Sequence, residues 1–95
     1  MPEMRFTVRW PDDTVTDCYS PSLIIKDYFA VGESYPAADF LERASTALNI
    51  ASERVYQKYG YACSSALDQL KRIEDTLARH VGNPQARVTV EHFTF

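Results

Sequence analysis

The chain has 95 residues, of which 45% are apolar and 24% are charged, and its formal net charge is −3. This length predicts a single domain over residues 1–95, and the composition is typical of a folded globular protein. The acidic balance argues against a nucleic-acid-binding protein, which normally carries a basic face. No apolar stretch approaches the length that spans a membrane. We therefore expect neither a nucleic acid nor a membrane as a partner.

The first twenty residues predict a β-hairpin. Residues 4–10 alternate between apolar and polar side chains, which is the pattern of a half-buried strand. Residues 11–14 read Pro-Asp-Asp-Thr, a composition that favours a turn. A second, more polar strand is expected over 14–19. Its charged and polar side chains suit the edge of a sheet, where they discourage further pairing.

A third strand is predicted near the end of the sequence. Residues 86–93 alternate again, with Val88 and Val90 on the apolar side. His92 falls in the same phase as these valines, so we expect it to reach the edge of the core. The first strand has the most regular apolar face, and we therefore place it in the centre of the sheet.

The region between the strands predicts helices. Ser20 and Pro21 resemble an N-cap and a first helical residue, which indicates a short helix that continues to Tyr28. A helix is expected to restart at Ser34-Tyr35-Pro36. Its apolar stripe runs as far as Tyr59, and we divide it into two helices at 36–48 and 51–59. Asn49-Ile50 is the expected interruption, and Ser52 is the expected cap of the second helix. Gly60 suits the end of the second helix.

The last predicted helix has the clearest apolar stripe, which contains Cys63, Ala66, Leu67, Leu70, Ile73, Leu77 and Val81. Strands at both ends of the chain and helices between them define an α+β fold. We expect a three-stranded sheet, made of the N-terminal hairpin and the C-terminal strand, with three to four helices packed on one face.

Aromatic side chains are the most unusual feature, with six tyrosines, five phenylalanines and one tryptophan. One cluster contains Tyr28, Phe29 and Tyr35, and a second contains Tyr56, Tyr59 and Tyr61. Residues 93–95 form a Phe-Thr-Phe segment. Tyrosines that cover a thin core would explain the clusters. A binding surface would explain them equally, because tyrosine is enriched at interfaces. Under the second interpretation the candidate binding residues are Tyr28, Phe29, Tyr35, Tyr56, Tyr61, Cys63, Phe93 and Phe95.

The sequence predicts no catalytic residue, metal site or cofactor. Cys63 lies at the start of the last helix, where the helix dipole favours a thiolate, but free cysteine is also a common core residue. His80 is too far along the same helix to act as its base. No pair of Cys or His residues has short metal-ligand spacing, and no Gly-rich phosphate loop is present. The two cysteines are expected to be free thiols.

Several blocks of sequence resemble a small bacterial family of nitrogen-starvation response proteins. The blocks are residues 1–6, 9–12, 17–23, 25–29, 51–55, 58–64 and 66–70. The resemblance implies a bacterial protein of the cytoplasm, and the first residues show no secretory signal. It also implies a gene that lies beside those for a nitrilase, a radical-SAM enzyme, an acetyltransferase and a flavoprotein. It implies no activity and no catalytic residue.

These observations favour a small non-enzymatic accessory protein that acts in nitrogen-starvation response or nitrogen-compound metabolism. Its expected partner is a second copy of itself, in a homodimer, or another protein encoded in the nitrilase-type gene cluster. The alternative is a small-molecule-binding protein or a minor enzyme, with a pocket near Cys63 and the tyrosines.

Overall fold

A computed structural model describes residues 3–61, 64–80, 83 and 85–95. Its elements are the strands β1 (Met4–Arg9), β2 (Val15–Ser20), β3 (Ser34–Pro36) and β4 (Arg87–Thr94) and the helices α1 (Ile25–Tyr28), α2 (Ala37–Tyr59) and α3 (Ser64–Ala78). The predicted α+β class is confirmed. The predicted strand number is wrong, because the sheet has four strands rather than three.

The strands lie side by side in the order β2-β1-β4-β3, and every neighbouring pair is antiparallel. The first strand is therefore interior, as its regular apolar face predicts, and the last strand pairs along its other side. The last strand is interior as well over part of its length. The position of β4 between β1 and β3 differs from the expectation of a strand that ends the sheet.

The additional strand, β3, occupies the segment that was predicted to restart a helix. Ser34 lies opposite Thr89, and Pro36 lies opposite Arg87. The chain enters this strand through Gly32, whose φ of 87° lies in the left-handed region that glycine adopts readily. The helix begins only after Pro36, so the prediction of a helical Ser34-Tyr35-Pro36 is wrong.

A β-bulge changes the facing of the last residues of β4. Val8 lies opposite Val90, whereas Thr7 lies opposite His92, so Glu91 is an extra residue in β4. The extra residue inverts the alternation of side chains. Phe93 consequently packs against the core, and His92 is exposed. The prediction that His92 shares the core-facing phase of the valines is wrong for this reason.

One helix of 23 residues, α2, replaces the two helices predicted at 36–48 and 51–59. Asn49 does not interrupt it, and its side-chain Nδ2 donates a 2.7 Å hydrogen bond to the carbonyl oxygen of Ser45. Ser52 is buried on the core side of the helix and does not cap a second helix. No Gly or Pro breaks the segment, and the helix is continuous.

The first helix is shorter than predicted and begins later. Ser20 belongs to β2, and α1 has only four residues, starting at Ile25. The Ser20 hydroxyl donates a 2.7 Å hydrogen bond to the carbonyl oxygen of Ser22, so this buried side chain is satisfied within the connection. The prediction of Ser20 as an N-cap is wrong.

The last helix buries one narrow stripe: Ala66, Leu70, Ile73 and Leu77. Leu67, which was predicted to belong to it, is 43% exposed. Cys63 and Val81 lie outside the described residues.

Helices and sheet share one apolar core. Phe6, Val8, Val88 and Val90 contribute from the strands, while Phe40, Leu48 and Ile73 contribute from the helices. The opposite face of the sheet is polar and carries, for example, an ion pair between Arg9 and Glu91. In the described part of the chain, no helix combines the length and the apolar character that a membrane span requires.

Candidate functional site

Three exposed tyrosines lie where α2 ends and the chain turns towards α3. Tyr56, Tyr59 and Tyr61 are 51%, 50% and 64% exposed, and we call them the tyrosine surface. Gly60 ends the helix between them with a φ of 81°, and its N–H donates a 2.8 Å hydrogen bond to the carbonyl oxygen of Tyr56. This left-handed cap fixes the direction in which the chain leaves the helix. The three rings are therefore carried on an ordered turn.

The tyrosine surface has internal order of its own. The rings of Tyr59 and Tyr61 stack, with centroids 6.0 Å apart and planes inclined by 29°. The ammonium of Lys58 lies 5.7 Å from the centroid of the Tyr59 ring. Stacked rings lose little side-chain freedom when a partner covers them, and aromatic side chains dominate the energetics of interfaces. Lys58 adds a positive charge beside the rings.

The helix carries this surface beyond the core. Val55 is the last residue of α2 that is buried, and residues 56–61 are exposed. The sequence indicated Tyr59 as part of the buried stripe, because its spacing continues that of Val55. The prediction of a buried Tyr59 is wrong, because the apolar spacing of α2 continues past the last residue of the helix that is buried in the core. Tyr59 thus belongs with Tyr56 and Tyr61, the two candidates named from the sequence.

The other predicted aromatic cluster is built into the fold. Phe29 is buried and contacts the rings of both Tyr35 and Phe40, with centroids 5.3 and 4.9 Å away. The Tyr35 hydroxyl accepts a 2.9 Å hydrogen bond from the N–H of Ala30. The Tyr28 side chain is half-buried. These contacts give the cluster a packing role around the connection from α1 to β3.

Arg43 on α2 joins the same cluster. Its Nη1 donates a 2.9 Å hydrogen bond to the carbonyl oxygen of Tyr28, and its guanidinium lies 5.0 Å from the centroid of the Tyr35 ring. Asp39 accepts a 3.0 Å hydrogen bond from its Nε. The Arg43 guanidinium and the Tyr35 hydroxyl are therefore both engaged with the protein itself.

The two phenylalanines of the Phe-Thr-Phe segment differ in their surroundings. Phe93 is partly buried and packs against the core. Phe95 is 73% exposed, its ring lies 6.3 Å from that of Phe93, and the Lys26 ammonium lies 5.5 Å from its centroid. The structure thus brings the two predicted residues together. They sit beside α1.

Of the two cysteines, only Cys18 can be placed. Cys63, the candidate reactive thiol, lies outside the described residues. Cys18 is a free cysteine that is fully buried in β2. Burial, and secondarily the charge of Asp17, raises the pKa of its thiol to about 12. A thiol with such a pKa is a poor nucleophile at neutral pH.

A pocket opens between the start of α2 and the end of α3. Its volume is about 440 Å³, within the range of small-molecule sites. Its walls are Ala37, Ala38, Leu41, Leu77 and Ala78, and its polar members are Glu74, His80 and Asn83. Sequence reasoning missed this pocket because it arises from two helix ends that are far apart in the chain. Among the residues that can be placed, no three His, Cys, Asp or Glu side chains form a group suited to a metal ion.

Residues 5–93 match the family described as nitrogen starvation-induced protein NitG. Comparisons with curated proteins and with solved structures each gave no significant match. The match covers nearly the whole chain and confirms the resemblance to nitrogen-starvation response proteins. The chain belongs to the family of nitrogen starvation-induced proteins NitG.

Proposed function

We propose that the protein is a small non-enzymatic accessory protein of the cytoplasm that binds a protein partner through its tyrosine surface. The partner we propose is an enzyme of nitrogen-compound metabolism from the nitrilase-type gene cluster. The family membership supports the setting in nitrogen starvation. The exposed rings of Tyr56, Tyr59 and Tyr61 support the mode of action.

The arrangement of the rings carries this proposal. An exposed tyrosine on its own is common, but here two rings are already stacked and a third lies on the preceding helical turn. Tyrosine is enriched in the buried centres of interfaces, where its ring excludes water and its hydroxyl finds a hydrogen-bond partner. The ordering cost of binding is reduced because the turn at Gly60 already holds the rings in place.

The charges near the rings indicate the chemistry of the partner. Lys58 lies at the tyrosine surface and has no carboxylate partner among the described ion pairs. A shallow groove of about 430 Å³ runs along α2 from Ile50 to Lys58. A partner segment with an apolar side chain for this groove and a carboxylate for Lys58 would be complementary to it.

The pocket between α2 and α3 supports a second candidate function, the binding of a small molecule. Its apolar walls suit an apolar body, and Glu74 and His80 suit a polar or cationic group. Adding a metabolite extract should then raise the melting temperature of the protein. Replacing Ala78 with Phe should fill the pocket and abolish that shift. A shift that survives Ala78→Phe would place the ligand elsewhere.

The test of the interaction proposal is quantitative co-purification from nitrogen-limited cells. The test variant combines Tyr56→Ser, Tyr59→Ser and Tyr61→Ser. The matched control combines Val15→Ser and Val31→Ser, which remove exposed apolar side chains from two other parts of the surface. Both variants should remain folded, since all five side chains are exposed.

We expect the unaltered protein and the control to recover the same partner from the gene cluster. The tyrosine variant should recover it at least about tenfold less, as expected when interface tyrosines worth more than 1 kcal/mol each are removed. Equal recovery by the tyrosine variant and the control would refute the role of the tyrosine surface. Failure of the unaltered protein to retain any partner from the cluster would refute the accessory function.

A further inference from the structure

The two outer edges of the sheet are protected to different degrees. At the β2 edge, α3 packs against the strand, and Oε1 of Gln69 accepts a 3.0 Å hydrogen bond from the N–H of Tyr19. At the other edge, β3 pairs with β4 only from Arg87 to Thr89. The loop before β3 adds Val90, whose carbonyl oxygen accepts a 2.7 Å hydrogen bond from the Gly32 N–H. Beyond that point, β4 has no neighbouring strand on this side in the described part of the chain.

The direction of the backbone groups on this open segment follows from the sheet register. The Tyr19 N–H is bonded to Gln69 and therefore points away from β1. Arg5 lies opposite Tyr19, so these two residues form a non-hydrogen-bonded pair between β1 and β2. Arg5 instead pairs with Thr94 on the other side. Backbone groups of successive strand residues point in opposite directions. Phe93 therefore directs its N–H and C=O groups away from β1, towards the open edge. Continuing the alternation one residue past Thr94, where β4 ends, gives Phe95 the same direction.

We propose that this open edge pairs with the same edge of a second copy of the chain, in a two-fold symmetric antiparallel arrangement centred on Thr94. Phe93 of one copy then lies opposite Phe95 of the other. Each Phe93–Phe95 pair then forms two hydrogen bonds, one from the N–H of each residue to the C=O of the other. The two pairs related by the axis give four hydrogen bonds. The two sheets become one, with their helices on the same side.

The edge is complementary to itself in its side chains as well as in its backbone. The register places aromatic rings opposite aromatic rings and Thr94 opposite Thr94, and such cross-strand pairs are favourable. It places no charged side chain opposite a like charge. On the helix side, Lys26 lies over the Phe95 ring near the axis, and the adjacent Asp27 is also exposed. An ion pair between Lys26 of one copy and Asp27 of the other is the charge pairing that this proposal expects across the axis. Isologous pairing of this kind is the commonest route to a homodimer.

A second copy fits this edge better than a long foreign strand. The loop at Gly32 and Glu33 already forms hydrogen bonds with both backbone groups of Val90, and β4 ends at Thr94, so the open segment of this strand is only a few residues long. A short segment that matches itself is used twice in a symmetric dimer, once from each copy. The dimer edge and the tyrosine surface have no residue in common, and the inference does not depend on the proposed function.

The first test is sedimentation velocity of the full chain over a wide concentration range, which gives the dimer dissociation constant. Phe95→Pro removes an outward N–H, and Phe95→Val is the matched control that keeps it. We expect Phe95→Pro to raise the dissociation constant at least about tenfold, because two hydrogen bonds are lost per dimer. Phe95→Val should change it by less than about threefold. Circular dichroism and the fluorescence of buried Trp10 verify that both variants are folded.

The second test places a cysteine on the proposed axis. Two Thr94 residues in a non-hydrogen-bonded antiparallel pair have Cα atoms about 4.5 Å apart, which a disulfide can bridge. Thr94→Cys, in a Cys63→Ser background, should therefore form a covalent dimer rapidly on mild oxidation. Thr89→Cys in the same background lies in the same strand but away from the axis, and it should not.

A dimer that weakens with Phe95→Pro and is trapped by Thr94→Cys supports the inference. A chain that is monomeric up to millimolar concentration overturns it. So does a dimer that Phe95→Pro leaves unchanged, or equal cross-linking of the Thr94 and Thr89 variants. The variant with all three tyrosines replaced by Ser should dimerise normally, and this distinguishes failure of the dimer from failure of the proposed partner binding.

Discussion

Trp10 and Thr16 are joined across the first hairpin by a 2.9 Å hydrogen bond from the indole Nε1 to the threonine Oγ1. The Trp10 ring is buried, and its edge packs against the ring of Phe40 on α2, with centroids 5.8 Å apart. The hydrogen bond lets the indole enter the core without losing a partner for its only polar group. The hairpin and the long helix are thereby fixed to each other.

Replacing Thr16 with Val should therefore destabilise the protein by about 1 kcal/mol, the usual net contribution of one hydrogen bond. Thr16→Ser keeps the hydroxyl and serves as the control, with an expected change below about 0.5 kcal/mol. Urea unfolding followed by tryptophan fluorescence measures both. Equal stability of the Val and Ser variants would show that the hydrogen bond contributes nothing.

The exposed Leu67 and the buried Leu70 on α3 form a matched pair for testing the core. Leu70→Ala should cost about 2–5 kcal/mol, because it removes packed methyl groups. Leu67→Ala should cost less than about 0.5 kcal/mol, because that side chain is 43% exposed and lies outside the core. Chemical unfolding of the two variants gives both values. A larger loss for Leu67→Ala than for Leu70→Ala would contradict the orientation of α3.

The buried thiol of Cys18 predicts a pH dependence of stability. Its pKa is raised to about 12 in the folded protein by burial, against an ordinary value of 9.0. The folded state therefore keeps the proton at pH values where the unfolded chain releases it. Below about pH 9 the thiol keeps its proton in both states, so its ionisation does not change the free energy of unfolding. As the pH rises from about 9 to about 12, the free energy of unfolding falls.

Replacing Cys18 with Ala should remove this alkaline decline. The expected result in urea unfolding at a series of pH values is a flatter profile for Cys18→Ala between about pH 9 and about pH 12. In the native protein at pH 8, Cys18 should also react much more slowly with iodoacetamide than in the urea-unfolded chain. Identical rates in the two states would mean that the thiol is not buried.

Much of the fold follows from local patterns in the sequence. The alternation in residues 4–10 predicts β1 and its central place in the sheet, and Gly60 predicts the end of α2. The strand β3 could not be predicted in this way. Its three residues carry little pattern of their own, and they become a strand only by pairing with Arg87 and its neighbours, which lie about fifty residues later in the chain.

Periodicity also cannot show where a core ends or where a strand contains an extra residue. Tyr59 keeps the spacing of the buried face of α2, but it follows Val55, the last buried residue of the helix, and its side chain is exposed. Glu91 inserts into β4 and reverses the facing of His92 and Phe93. The candidate site could thus be located from the sequence through Tyr56 and Tyr61, whereas the membership of Tyr59 required the structure.

The proposed role of the tyrosine surface is tested most directly by photo-cross-linking in nitrogen-limited cells. A benzophenone amino acid replaces Tyr61 in one variant and the half-buried Tyr28 in a control variant, and adducts are identified by mass spectrometry. We predict one discrete adduct, with an enzyme of the nitrilase-type gene cluster, from position 61 and none from position 28. The same adducts from both positions, or none from position 61 while the protein is folded and abundant, would contradict the account.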